Sequence, residues 1–346
     1  MQKMFANDMR SRAEKRLAAS QDTRPRTTVS FYRYVRIADP VAFRQVLLSK
    51  WNEFECRGRI YVASEGINAQ MDVLKEKWNE FDAFVQSVPE LAGIPYKIAV
   101  EEKNIPSFFK LTIKVKDKIV ADGLDDSSFD VTKTGAYLTA AEMNAYIDDE
   151  DAVVVDMRNA YESEVGHFEK AVTPNVETFR EELTLAPRLL EKYKDKKVAL
   201  YCTGGIRCEK ASAWLRHNGF KDVKHLKGGI IDYAHQVQEQ GLPNKFKGKN
   251  FVFDERLGER VGGEVISHCH LCRSNKSDTH YHCKNQICHT LFLGCVACLE
   301  ERGGYCSWAC QQVDKLPERI KPTLARYYND FVRRRQKFKK TRLRGV

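Results

Sequence analysis

Two hydrophobic rhythms alternate along the first third of the chain. VSFYRYV (29–35), GRIYVA (58–63) and INAQMDV (67–73) are short apolar-rich runs of strand length, and Ser64, Glu65 and Gly66 turn between the last two. DPVAFRQVLLSKWNEF (39–54) instead spaces its apolar residues as a helix does, opened by Asp39 and Pro40. A second helical stretch covers 74–88, and YKIAVEE and FKLTIKVK read as closing strands. The order βαββαβ predicts a small ferredoxin-like domain over 29–120. DGLDDSSFD reads as part of a linker over 121–134. From Gly135 helices and strands alternate: AAEMNAYID, then the strand AVVVDMR, a helical stretch containing Pro187, Arg188 and Leu189, then the strand KVALYC. ASAWLRHNGF is a helix ended by Gly219, VKHL a third strand, and GGIIDYAHQVQE the last helix. This pattern predicts an open α/β sheet with central parallel strands over 135–243. Residues 1–28 carry no such rhythm and are predicted to be disordered.

Composition adds location and partners. The 346 residues suffice for two or three domains, and no run of about 18 apolar residues predicts a transmembrane helix. The N-terminus lacks the apolar core of a secretory signal, so a cytoplasmic location is expected. The net charge of +10 sits at the ends. Residues 1–26 hold seven Lys/Arg against three acids, and 331–346 hold eight against none, so the rest sums to −2. A basic tail over 313–346 makes RNA the leading electrostatic partner, with a solvated end as the alternative.

The stretch YCTGGIRCEK (201–210) carries the candidate chemistry. Cys202 ends a predicted strand, where ligands bind in open α/β sheets. Thr203, Gly204, Gly205 and Ile206 form a loop whose backbone N–H groups can turn inward at a helix N-terminus, lowering a thiol pKa. Arg207 closes the loop, or adds positive charge for an anionic substrate. The C-x4-R ring is shorter than the C-x5-R cradle of phosphatases, and suits a sulfur-bearing cysteine better than a phosphoryl group. Cys208 reads either as a resolving thiol or as a small residue of the first helical turn. Lys227, before Gly228 and Gly229, is a candidate phosphate contact or a solvated lysine. Upstream, Asp156, Arg158, Glu162, Gly166 and His167 stand as they do before the active loop of rhodanese-like domains, which this region resembles.

Eleven cysteines in a cytoplasmic chain argue against a disulfide framework. Cys56 reads as a buried apolar thiol. Eight others crowd into 42 residues as four short-spaced pairs: Cys269 and Cys272, Cys283 and Cys288, Cys295 and Cys298, Cys306 and Cys310. They supply ligands for two tetrahedral, structural Zn²⁺ ions within a cysteine-rich segment over 244–312; an iron–sulfur cluster is the alternative. His268, His270, His280, His282 and His289 could replace a ligand or be solvated. Spacing leaves the pairing open between consecutive and cross-braced.

GRIYVASEGINA, IVADGLDD, DMRNAYESEVGHFE, YCTGGIRCEKASAW, GKNFVFDERLGER and the cysteine-rich end together resemble the oxygen-dependent tRNA uridine(34) hydroxylase family over residues 30–312. The resemblance implies an oxidoreductase of monooxygenase type, converting the wobble uridine to 5-hydroxyuridine with molecular oxygen as co-substrate and the anticodon loop of tRNA as partner. It also implies that Cys202 is the family's proposed persulfide-forming cysteine. Neither a flavin or haem motif nor a non-haem iron triad is recognisable. The loop chemistry by itself predicts sulfur transfer. The alternatives are therefore a rhodanese-type sulfurtransferase passing persulfide sulfur to a small thiol, protein or RNA acceptor, and a non-enzymatic RNA-binding scaffold. The expected fold is thus a multidomain chain, α+β then α/β, with a zinc-binding C-terminal segment.

Overall fold

The computed structural model describes residues 11–100, 105–124 and 129–327, which divide into two compact units, 1–264 and 265–346. Residues 331–346, the richest part of the expected basic tail, lie outside the described residues.

Within the first unit, α1 (Arg12–Gln21), β1 (Arg26–Tyr34), α2 (Pro40–Glu53), β2 (Arg57–Ala63), β3 (Gly66–Leu74), α3 (Trp78–Ser87), β4 (Lys97–Ile98) and β5 (Leu111–Val115) build the first domain. Its sheet runs β4-β1-β3-β2-β5. The first four strands follow the βαββαβ order, and β5 adds to the edge, parallel to β2. Phe31, Leu47, Trp51, Ile60, Met71 and Phe81 pack between the sheet and the helices α2 and α3 as one buried core. Asp39 caps α2 by accepting from the N–H groups of Val41 and Ala42, as the Asp-Pro opening predicts.

Residues 12–21, expected to be disordered, form α1, and β1 already begins at Arg26. The helix is opened by a capping box in which Ser11 and Glu14 satisfy each other's backbone N–H groups. After it, Asp22 accepts from Arg24 at 2.9 Å and pairs with Arg57. Hydrogen bonds from Arg24 hold its carboxyl well below the usual range, against a smaller opposing effect of burial. Polar contacts rather than an apolar stripe fix this segment, which is why the hydrophobic rhythm misses it.

The second domain of the unit contains β6 (Ala136–Leu138), α4 (Ala140–Asp148), β7 (Ala152–Asp156), α5 (Ala160–Ser163), β8 (Gly166–Phe168), α6 (Phe179–Leu189), β9 (Lys197–Tyr201), α7 (Ile206–His217), β10 (Asp222–Leu226) and α8 (Gly229–Gln240). Its parallel sheet runs β6-β10-β9-β7. Successive strand residues face opposite sides. Val153, Val155, Val198 and Leu200 pack with residues of α6 and α7, whereas Val154, Ala199 and Tyr201 pack with residues of α4 and α8. Both faces are covered, so the strands read as continuous apolar runs.

Residues 244–264, grouped with the cysteines by the sequence reading, belong to this first unit. They build β11 (Phe246–Asn250) and β12 (Glu259–Arg260), in a small antiparallel sheet of order β12-β11-β8. The second unit has a hairpin of β13 (His280–His282) and β14 (Leu291–Leu293), then α9 (Val296–Arg302) and α10 (Trp308–Asp314). Residues 321–327, within the expected tail, are helical.

Candidate active site

Cys202 follows the last residue of β9, and the loop after it turns directly into α7. Gly205 makes the turn with φ 95°, and a Cβ there would lie 2.8 Å from the hydroxyl of Tyr32. Its N–H points back at the Cys202 sulfur at 3.2 Å. The start of α8 holds the loop from the other side: Ile230 N–H donates to the Cys202 carbonyl at 3.0 Å and Ile231 N–H to that of Thr203 at 3.2 Å. Gly229, with φ 69°, permits this approach, because a Cβ would stand 2.5 Å from the Cys202 oxygen.

The Cys202 sulfur is buried, and burial alone pushes its thiol up. The hydrogen bond from the Cys208 thiol, the Arg207 charge and the N–H groups of Cys208 and Arg207 outweigh it, lowering the pKa to about 5. Cys208 shows the converse: burial, then the Cys202 sulfur beside it, raises its thiol well above the ordinary value. It is therefore a protonated donor at neutral pH. Arg207 grips Glu162 through both nitrogens, at 2.7 and 2.9 Å, and donates to the Thr203 hydroxyl at 3.3 Å. Glu162 in turn accepts from the N–H of Asn159, where α5 starts.

Asp156 and Arg158 form a fully buried bidentate pair at 2.7 and 2.8 Å. Arg158 also donates to the Gly166 carbonyl, and the Tyr201 hydroxyl to Asp156. They brace the end of β7 against β8 and β9, and among the contacts of the described residues neither reaches the Cys202 sulfur. Lys227 is exposed. His167 bonds its neighbour's carbonyl.

The first domain also covers the loop, which spacing did not reveal. Tyr32 and Tyr137 both donate to Oε1 of Glu209 on α7 at 3.0 Å, and His225 lies 3.5 Å from its Oε2. Tyr34 donates to the carbonyl of Ile206. Lys97 of β4 stacks its ammonium over the Tyr32 ring at 4.5 Å. Lys210 is buried among Glu65, at 3.0 Å, and Asp122, at 2.7 Å. A signal for this cluster did exist in the sequence: Glu65, Asp122 and Lys210 stand in three of the stretches that carry the family resemblance.

In the second unit the eight cysteines gather into two sets, Cys269, Cys272, Cys295 and Cys298, and Cys283, Cys288, Cys306 and Cys310, with sulfurs within 4.8 Å of one another. The first and third pairs share one site and the second and fourth the other, the cross-braced arrangement. A Zn–S bond of about 2.3 Å implies a tetrahedron edge of about 3.8 Å. The Cys272–Cys295, Cys288–Cys306 and Cys306–Cys310 separations are 4.0, 3.7 and 3.5 Å. None of the five histidines joins either set. Cys56 lies in the first domain's core, where burial raises its thiol pKa.

Comparison with known proteins matches three successive stretches of the chain, the last of which runs across the boundary at residue 264. Residues 26–119 match the UPF0176 acylphosphatase like domain, 139–236 the rhodanese-like domain and 247–311 the rhodanase C-terminal domain. A protein of Cronobacter sakazakii called tRNA uridine(34) hydroxylase is 51% identical over 309 residues, 89% of this chain and 88% of its own. The chain belongs to the tRNA uridine(34) hydroxylase family. An Escherichia coli member is 51% identical over 290 residues, 84% of this chain and 82% of its own. Among solved structures, a rhodanese-related protein of Thermoplasma volcanium is 26% identical, with a TM-score of 0.25, over 31% of this chain and 95% of its own. No helix of the described residues is long and apolar enough to cross a membrane.

Proposed function

We propose that the protein hydroxylates C5 of the uridine at position 34 of tRNA, in the cytoplasm, using molecular oxygen and the Cys202 thiolate. The observation that carries this reading is the 51% identity to a named tRNA uridine(34) hydroxylase along 309 residues, which span both domains of the first unit and the cysteine-rich unit. The site supports it chemically. A thiol with pKa about 5 is almost wholly thiolate at neutral pH, ready to act as a nucleophile without a separate base. Arg207, fixed by Glu162, supplies positive charge beside the sulfur, and Cys208 supplies the hydrogen bond that keeps it ionised. Asp156 and Arg158 support the strand ends from which the loop departs. An anticodon loop is a suitable partner because its bases can be splayed out of the stack.

The two all-sulfur sets fit zinc, which would hold the second unit folded rather than take part in the reaction. That unit's own apolar core is small, centred on Cys283, Phe292 and Tyr305.

Sulfur transfer is the second reading, favoured by the rhodanese-like loop and its lowered thiol. Incubating purified protein with tRNA lacking wobble modification, a dithiol as two-electron donor and thiosulfate as sulfur donor, under air and under nitrogen, separates the two. Nucleoside mass spectrometry should find 5-hydroxyuridine at position 34 only under air. Cys202→Ser, near in volume, should melt as the parent does and make none. Thiolated nucleosides in place of 5-hydroxyuridine would refute hydroxylation.

A further inference from the structure

The cations near the Cys202 sulfur differ in what already holds them. Arg207 is committed to Glu162, and Lys210 to Glu65 and Asp122. Lys97 is 5% exposed, yet among the described residues its ammonium makes no hydrogen bond or ion pair, only the contact with the Tyr32 ring. Asp232, Cys202 and Glu209 attract it from farther off, while burial drives its pKa down. Its stem crosses the loop, since a Cβ on Gly204 would lie 3.8 Å from its Cδ. Tyr32, pinned through Glu209, holds the ring beneath the ammonium. A largely desolvated ammonium without a carboxylate is costly to keep, and an anion arriving beside it is bound more strongly than in water.

Resting on the hydroxylation reading, we propose that Lys97 pairs with the negative charge that reaches O4 of the target uracil when the Cys202 thiolate adds to C6. C5 of uracil is a poor nucleophile until such an addition. The sulfur forms a bond to C6, and the C5=C6 electron pair moves through C4 onto O4, giving an enolate with an electron-rich C5. Expulsion of the thiolate reverses the step, and no oxidant is consumed. While the adduct lasts, C5 takes a proton from water, and it can lose the original one before the sulfur leaves. The C5 hydrogen therefore exchanges with solvent. On this assignment the first domain completes the reaction site.

The test uses the full chain as wild type, Lys97→Met and Lys97→Arg, each checked by thermal melting, with Lys97→Gln replacing a methionine variant that does not fold. Without RNA, Cys202 alkylation by iodoacetate and by iodoacetamide is followed by peptide mass spectrometry. Pairing with anions predicts that the preference for iodoacetate falls about tenfold in Lys97→Met and persists in Lys97→Arg. With an anticodon stem-loop in oxygen-free D2O, deuterium uptake at C5 of uridine 34 should fall about 100-fold in kcat in Lys97→Met, as for loss of an oxyanion donor. An unchanged iodoacetate preference overturns the proposal. So does exchange kept by Lys97→Met, or lost through KM alone, which would mean a resting phosphate contact. Absence of exchange in the wild type also overturns it, whatever the hydroxylation assay gives; exchange without 5-hydroxyuridine under air would sink the hydroxylation reading and leave this one standing.

Discussion

Replacing Cys208 distinguishes its two roles, thiolate stabiliser or resolving thiol. In the folded protein its thiol is buried against the Cys202 sulfur and donates to it, heading the influences that lower the Cys202 pKa to about 5. A hydrogen bond to a charged group contributes about 1.5–3 kcal/mol. At 1.36 kcal/mol per pKa unit, Cys208→Ala should raise the Cys202 pKa by roughly one to two units. The sign follows from the thiol being an acid: the reactive thiolate exists above the pKa, so weakening its support moves the acid limb of reactivity to higher pH. Alkylation of Cys202 by iodoacetamide between pH 4 and 9, read on its own peptide, should therefore have a midpoint near 6–7 in Cys208→Ala (on the order of one to two units above the parent). At pH 8 the variant should react almost as the parent does. Cys208→Ser restores a hydroxyl donor of similar size, and should recover most of the shift. Turnover should follow the same profile. A midpoint that stays put in Cys208→Ala would refute the donor argument. Loss of multiple turnover at every pH in both variants, with a single turnover kept, would instead identify Cys208 as a resolving thiol.

The remaining predictions concern metal, interdomain packing and the tail. Elemental analysis of protein prepared without chelator should give about two zinc ions per chain, one for each four-cysteine set, and Cys283→Ser should lose one and become protease-sensitive within residues 265–327. Lys210→Met leaves Glu65 and Asp122 without their shared ammonium. Loss of a buried partner costs about 3–5 kcal/mol, here toward the low end because Lys118 also pairs with Asp122; calorimetry should find a melting point lower by roughly 6–12 °C, and an unchanged one would count against the buried cluster. Deleting residues 331–346 removes eight basic residues, and should flatten the log–log salt dependence of tRNA binding by up to about 6 if all of them meet phosphate.

What could be read from the sequence depended on how locally each feature is encoded. The Cys202 loop is four contiguous residues, 202–205, between a strand and a helix, so its shape follows from Gly205 and from the order of the flanking elements. The strand order of the first domain follows from its βαββαβ succession. The addition of β5 beside β2 does not, because nothing in a five-residue run names its neighbour. Metal spacing gave the four cysteine pairs but left their combination open, since cross-bracing is decided by how the hairpin and α9 fold back.

Buried charge marks the boundary of that legibility most clearly. Glu65 lies between two strands, Asp122 in the stretch expected to be linker, and Lys210 on α7, and each is unremarkable in its own surroundings. A solvated residue needs no partner, so a periodicity argument assigns such charges to the surface. Yet Lys210 is 1% exposed, a condition that is costly for an ammonium unless carboxylates are in contact. The partners are 145 and 88 residues away in the chain. Their joint occurrence in separate stretches that carry the family resemblance is the one sequence signal that they belong together. The same logic applies to Lys97, in reverse. It is nearly as buried as Lys210 but has no carboxylate in contact among the described residues, and we propose that its partner is an anion that arrives during the reaction.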